Sequence, residues 1–114
     1  MNNKNRVIRV LVVDEQLKKS FFALEHGKNE EKELFSFINR AMDDLKKDCF
    51  CGIRIQNNHW PKKYVQKYGI NSLYKYDLPN GWRLIYTIRG SEIEIVAVIL
   101  EWMNHKEYDR RFGY

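Results

Sequence analysis

Apolar and polar positions in this 114-residue chain recur with two different periods. Arg6 to Val13 is rich in β-branched residues and predicts a strand. Asp14-Glu15 then open a stretch in which Leu17, Phe21 and Leu24 fall on one helical face. Gly27 is the predicted stop and Asn29 the predicted N-cap of the next helix. Leu34, Phe35, Ile38, Ala41, Met42 and Leu45 recur at the spacing of a helix with one buried face. Lys32, Asn39, Arg40, Asp43 and Lys46 take the opposite face, and Glu30, Glu31 and Glu33 suit the positive end of the helix dipole. The two helices should form an antiparallel hairpin against a flat partner.

Residues 49–71 have no clear period and are broken by Gly52, Pro61 and Gly69. Three strands follow, at Ser72–Leu78, Trp82–Arg89 and Glu92–Trp102. The first turn, Pro79-Asn80-Gly81, readily supplies positive φ. The second is expected to be a Gly-first pair, Gly90-Ser91. The pattern predicts a single α+β domain over residues 1–114. An N-terminal strand and a two-helix hairpin precede an antiparallel β-meander, forming one sheet with helices on one face and the other partly open.

Composition adds little to this picture until charge is placed along the chain. Hydrophobic residues are 44% and charged residues 31%, as in a folded domain. The longest apolar run, Ile93–Leu100, is interrupted by Glu94 and is far shorter than the roughly 20 residues of a membrane helix. Residues 1–6 show no secretion signal, so a cytoplasmic, non-membrane protein is expected. The net charge is +5, but residues 49–90 carry seven basic residues against one acid, Asp77. Such a segment attracts phosphates or acidic partners. Cys49 and Cys51 are too close for an unstrained disulfide and lack a second ligand pair for zinc, so both are expected to be reduced packing residues.

Most enzyme signatures are missing. The chain has no phosphate-cradling glycine loop, dinucleotide fingerprint or His-Glu-x-x-His, and no cofactor or metal is expected. What remains is the tail from Glu101 to Tyr114, where His105 and Tyr108 lie one helical turn apart. Imidazole exchanges protons near neutral pH, and a phenol can do so beside cations. Arg83, just after the Asn-Gly turn, can grip a phosphate through two parallel hydrogen bonds. A base, a cation and an acid suffice for RNA cleavage by the ribose 2′-hydroxyl.

The segment Leu73-Tyr74-Lys75-Tyr76-Asp77-Leu78-Pro79-Asn80-Gly81-Trp82-Arg83-Leu84-Ile85-Tyr86 and the tail His105-Lys106-Glu107-Tyr108, with the order of elements, resemble the RelE/ParE superfamily of type II toxins. The resemblance implies an endoribonuclease that enters the ribosomal A site and cuts mRNA, together with a separately encoded antitoxin. By position it makes Arg83 the phosphate-binding arginine, Tyr108 the terminal tyrosine that assists the 2′-hydroxyl, and His105 the histidine preceding it. Lys75 sits near the family's basic strand residue, Arg110 and Arg111 could replace a missing cation, and Lys62 and Lys63 could serve as substitute RNA-binding lysines. Asp77 departs from the pattern, because the nuclease members tend to be basic there. The long Gly52–Gly69 stretch departs too. Members that inhibit gyrase lack the nuclease residues, so a non-catalytic inhibitor or nucleic-acid binder is the alternative. A homodimer is compatible with the sequence.

Overall fold

A computed structural model describes residues 6–113. The expected absence of a secretion signal rests on residues that, 6 apart, lie outside the described residues, as does the terminal Tyr114. Strand β1 (Val7–Val12) leads into α1 (Glu15–Leu24), whose first turn is capped by Asp14 Oδ1 accepting from the Leu17 N–H at 2.8 Å. Helix α2 (Asn29–Lys47) follows. Its N-cap is Lys28 rather than the expected Asn29, because Glu31 reaches back to accept the Lys28 backbone N–H at 3.1 Å. Leu34, Ile38, Ala41 and Leu45 are the buried stripe of α2.

The remaining strands and α-helices are β2 (Ile53–Arg54), α3 (Lys62–Tyr68), β3 (Tyr74–Asp77), β4 (Arg83–Gly90), β5 (Glu94–Met103) and α4 (His105–Phe112). They build one mixed sheet in the order β1-β5-β4-β3-β2. β1 runs parallel to β5, and the other pairs are antiparallel. The fold class is α+β. The Asn-Gly turn has the expected backbone, with φ of 63° at Asn80 and 80° at Gly81. The next turn differs from the expected Gly-first pair. Gly90 still pairs with Ile95, and Ser91 organises the loop, its Oγ accepting from the Ile93 and Glu94 N–H groups at 3.2 Å each.

The expectation of helices on one face needs correction. α1 and α2 cover one face, packing on Leu84, Tyr86, Ile95, Ala97 and Ile99. A second core on the other face joins Ile85, Leu100 and Met103 to Tyr64 of α3 and to Tyr108 and Phe112 of α4. The region between residues 49 and 71 is therefore not simply irregular. Its α3 carries Tyr64 inward and ends at Gly69, which adopts φ of 58° as helix-terminating glycines do. A bulge opposite Ile85 and Tyr86, which pair with Glu101 and Ile99, leaves Leu100 as the extra residue. Leu100 and Glu101 consequently both serve the second face, Leu100 in the core and Glu101 in a polar network beneath α3 and α4. Among the described residues no helix is long and apolar enough to cross a membrane. The cysteines separate: Cys49 is buried as expected, whereas Cys51 is exposed.

Candidate functional site

Strand pairing determines what meets at one end of the second face. Asp77 of β3 lies opposite Arg83 of β4, and Arg83 lies opposite Met103 of β5. Lys75, two residues before Asp77, shares its face. The chain turns into α4 directly after Met103. Asn104 caps that helix, its Oδ1 accepting from the Glu107 N–H at 2.9 Å. One turn later, Tyr108 folds back over the sheet.

Tyr108 is 4% exposed, and its ring stacks on Phe112 with centroids 4.6 Å apart. Two cations approach this ring, Lys75 Nζ at 5.6 Å and Arg83 Cζ at 5.8 Å from its centroid. Contacts of this kind are worth about 0.5–2 kcal/mol and hold flexible side chains in place. Both cations also meet Asp77: its Oδ1 is 2.7 Å from Lys75 Nζ and 3.1 Å from Arg83 Nε. The second contact is an ion pair without hydrogen-bond alignment, for Arg83 Nε is shielded from solvent and finds no acceptor at a proper angle. Arg83 Nη1 donates to the Trp82 carbonyl at 3.3 Å.

His105, exposed as the first residue of α4, lies against the β3–β4 turn. A Cβ added at Gly81 would stand 3.1 Å from His105 Cδ2. Gly81 thus serves twice, allowing the positive φ and leaving space for the imidazole. Lys75, Arg83, His105 and Tyr108 therefore gather at one end of the sheet, with Tyr108 as the buried floor. Lys75 and Asp77 also line a cleft along the sheet edge with Asp44, Lys47, Cys51 and Tyr76. The Tyr76 hydroxyl donates to Asp44 there, and that bond, with burial, pushes its pKa up to about 12.

The other basic candidates stand elsewhere. Arg111 is turned inward, with Nη1 2.6 Å from Glu101 Oε1 and Nη2 2.7 Å from Glu107 Oε2. Arg110 also binds Glu107, at 2.5 Å. Lys63 lies 3.6 Å from Glu101, and the Tyr64 hydroxyl donates to the same carboxylate. Burial alone would raise the Glu101 pKa, but Arg111, Tyr64 and Lys63 outweigh it and hold it below the usual value. Burial, followed by the bond to Glu101, pushes the Tyr64 hydroxyl well above its ordinary range. Lys62 is exposed at the start of α3, and no ion pair among the described residues joins it to the Lys75–Arg83 cluster.

The participant that sequence reasoning set aside is Asp77. The signal was present, because residues two apart on a strand share a face, and Lys75 and Asp77 are such a pair. What the arrangement offers chemically is two fixed cations for an anion, an imidazole at the rim and an aromatic floor. No family model, curated protein or solved structure matches the chain.

Proposed function

We propose that this chain is a RelE/ParE-type toxin that cleaves RNA at the Lys75–Arg83–His105 cluster, acting on message in the cytoplasmic ribosome and restrained by a separate antitoxin. The observation that carries this reading is the meeting of Lys75 and Arg83 over the Tyr108 ring, with His105 across the turn. In the proposed reaction the ribose 2′-oxygen bonds to the adjacent phosphorus and the bond from phosphorus to the 5′-oxygen breaks. His105 takes the 2′-hydroxyl proton. The Lys75 ammonium gives a proton to the departing 5′-oxygen, and solvent resets both groups. Arg83 and Lys75 stabilise the charge growing on the phosphoryl oxygens. The products are a 2′,3′-cyclic phosphate and a 5′-hydroxyl. In place of the expected assistance to the 2′-hydroxyl, Tyr108, which is only 4% exposed, acts as a positioning residue whose ring fixes the two cations.

Purified protein mixed with programmed ribosomes should cut message with no metal added beyond the magnesium that the ribosomes themselves require. His105→Ala and Arg83→Ala should each slow cutting by about 10²–10⁴-fold. A double variant that cuts as fast as the parent would refute the assignment. The buried Tyr108 ring and the Asp77 contact with both cations favour a second reading, in which the same surface binds a nucleic acid or acidic target without chemistry. That reading predicts growth inhibition that survives His105→Ala.

A further inference from the structure

We propose that Asp77 is an internal stand-in for a phosphate: its carboxylate occupies the oxyanion seat made by Lys75 and Arg83, and a phosphodiester binds there by displacing it. This rests on the reading of the cluster as an RNA site and deepens it by naming what the incoming anion competes with. Three observations support it. First, one oxygen, Asp77 Oδ1, touches both cations, at 2.7 Å from Lys75 Nζ and 3.1 Å from Arg83 Nε. That is the bridging position a non-bridging phosphate oxygen takes between two donors. Second, the occupant fits imperfectly. Arg83 Nε lies within ion-pair distance of the carboxylate, yet its N–H is off-axis and lacks an acceptor. A tetrahedral anion with several acceptor oxygens can meet the guanidinium fork and the ammonium together, which one carboxylate on a short tether does not. Third, Asp77 is not the only support of either cation: both also lie against the Tyr108 ring, and Arg83 Nη1 donates to the Trp82 carbonyl. Asp77 is itself 47% exposed at the end of β3 and has solvent to move into.

The consequence is a threshold on binding. Every anion entering the seat must outcompete a carboxylate tethered beside it, so weak or singly charged ligands are rejected and a polyanion is favoured. Removing the carboxylate charge should open the seat while leaving both cations in place for the ligand.

The test measures binding of a short, non-cleavable 2′-O-methyl RNA by fluorescence anisotropy over a range of salt concentrations, with inorganic phosphate as a second probe followed by NMR of the Lys75 and Arg83 side chains. Asp77→Asn, which keeps the shape, should bind the RNA about tenfold tighter, with a salt slope steeper by up to about 0.7, because no displaced carboxylate is left beside the phosphate to take back a cation. Asp77→Ser guards against an effect of the asparagine amide, and circular dichroism checks folding of both. In an Arg83→Gln background the tightening should shrink. Unchanged or weaker binding in both folded Asp77 variants would overturn the inference, and if the parent still cut message the RNase reading would stand without it. Tighter phosphate binding at Lys75 and Arg83 in a protein that cuts no RNA would uphold the internal anion and remove the nuclease.

Discussion

Tyr86 shows how much one side chain in the sheet can hold. Fully buried on the helix-hairpin face, it donates its hydroxyl to the Cys49 carbonyl at 2.9 Å and accepts the Gly52 N–H at 3.0 Å. Burial raises its pKa far beyond any working pH, so it stays a neutral donor and acceptor. Gly52 has no side chain because none fits: a Cβ there would stand 2.4 Å from the Tyr86 hydroxyl and 2.6 Å from the Lys75 carbonyl. The contact tethers the segment after α2 to the strand layer, and with it the backbone beside Lys75. Tyr86→Phe would leave a buried carbonyl and an N–H without partners, costing about 1–3 kcal/mol. Urea unfolding should show that loss, and amide exchange should speed up around Gly52. A variant as stable as the parent would mean that other groups satisfy that backbone. Asp77 makes the same point from the opposite direction. Its type reads as a departure from a basic pattern, and its meaning comes from the two cations it touches.

At the scale of elements, α4 decides whether a site exists. Its eight residues carry His105 to the rim and Tyr108 to the floor, and its phase is set where it begins. Asn104 begins it, satisfying the Glu107 N–H. Asn104→Ala should cost about 1 kcal/mol in global stability. Because the cap fixes the first turn, amides of residues 105–108 should exchange faster than the rest of the second core. Hydrogen exchange followed by mass spectrometry reads both, and uniform protection across α4 would show that packing of Tyr108 and Phe112 alone holds the helix. The long hairpin helix α2 was readable from its own residues, since Leu34, Ile38, Ala41 and Leu45 repeat in a pattern that needs only one apolar surface to satisfy. The seven-residue α3 was not. Its apolar positions are few, two lysines open it, and its inward Tyr64 finds a use only when α4 and β5 bring Phe112 and Glu101 beside it.

Across the whole molecule, the polar network at Glu101 ties α3, β5 and α4 together and links their stability to pH. The Glu101 pKa in the folded chain lies below the unfolded value of about 4.3. Its stabilisation is therefore complete at neutral pH and is lost as pH falls through the folded value. Glu101→Gln should cost about 1–3 kcal/mol at pH 7, where Arg111 loses one of its two carboxylates. The variant and the parent should converge in stability as the pH falls through the folded value. Unfolding curves at pH 7 and in acid test this, and a constant gap between the two proteins would sink it. Periodicity along the chain was enough to determine an α+β domain with a helical hairpin, a three-strand meander and a turn at Asn80-Gly81, because those patterns arise from neighbours in sequence. Side-chain chemistry singled out Arg83, His105 and Tyr108, and the family resemblance added Lys75, all without a place in space. Tertiary structure alone decided that α3 and α4 cover the second face, that Arg111 and Lys63 serve Glu101, and that Lys75 and Arg83 share Asp77 above a buried ring. Those outcomes depend on strand register and on a bulge that turns Leu100 and Glu101 to one side, and register is a relation between distant segments that no single segment encodes.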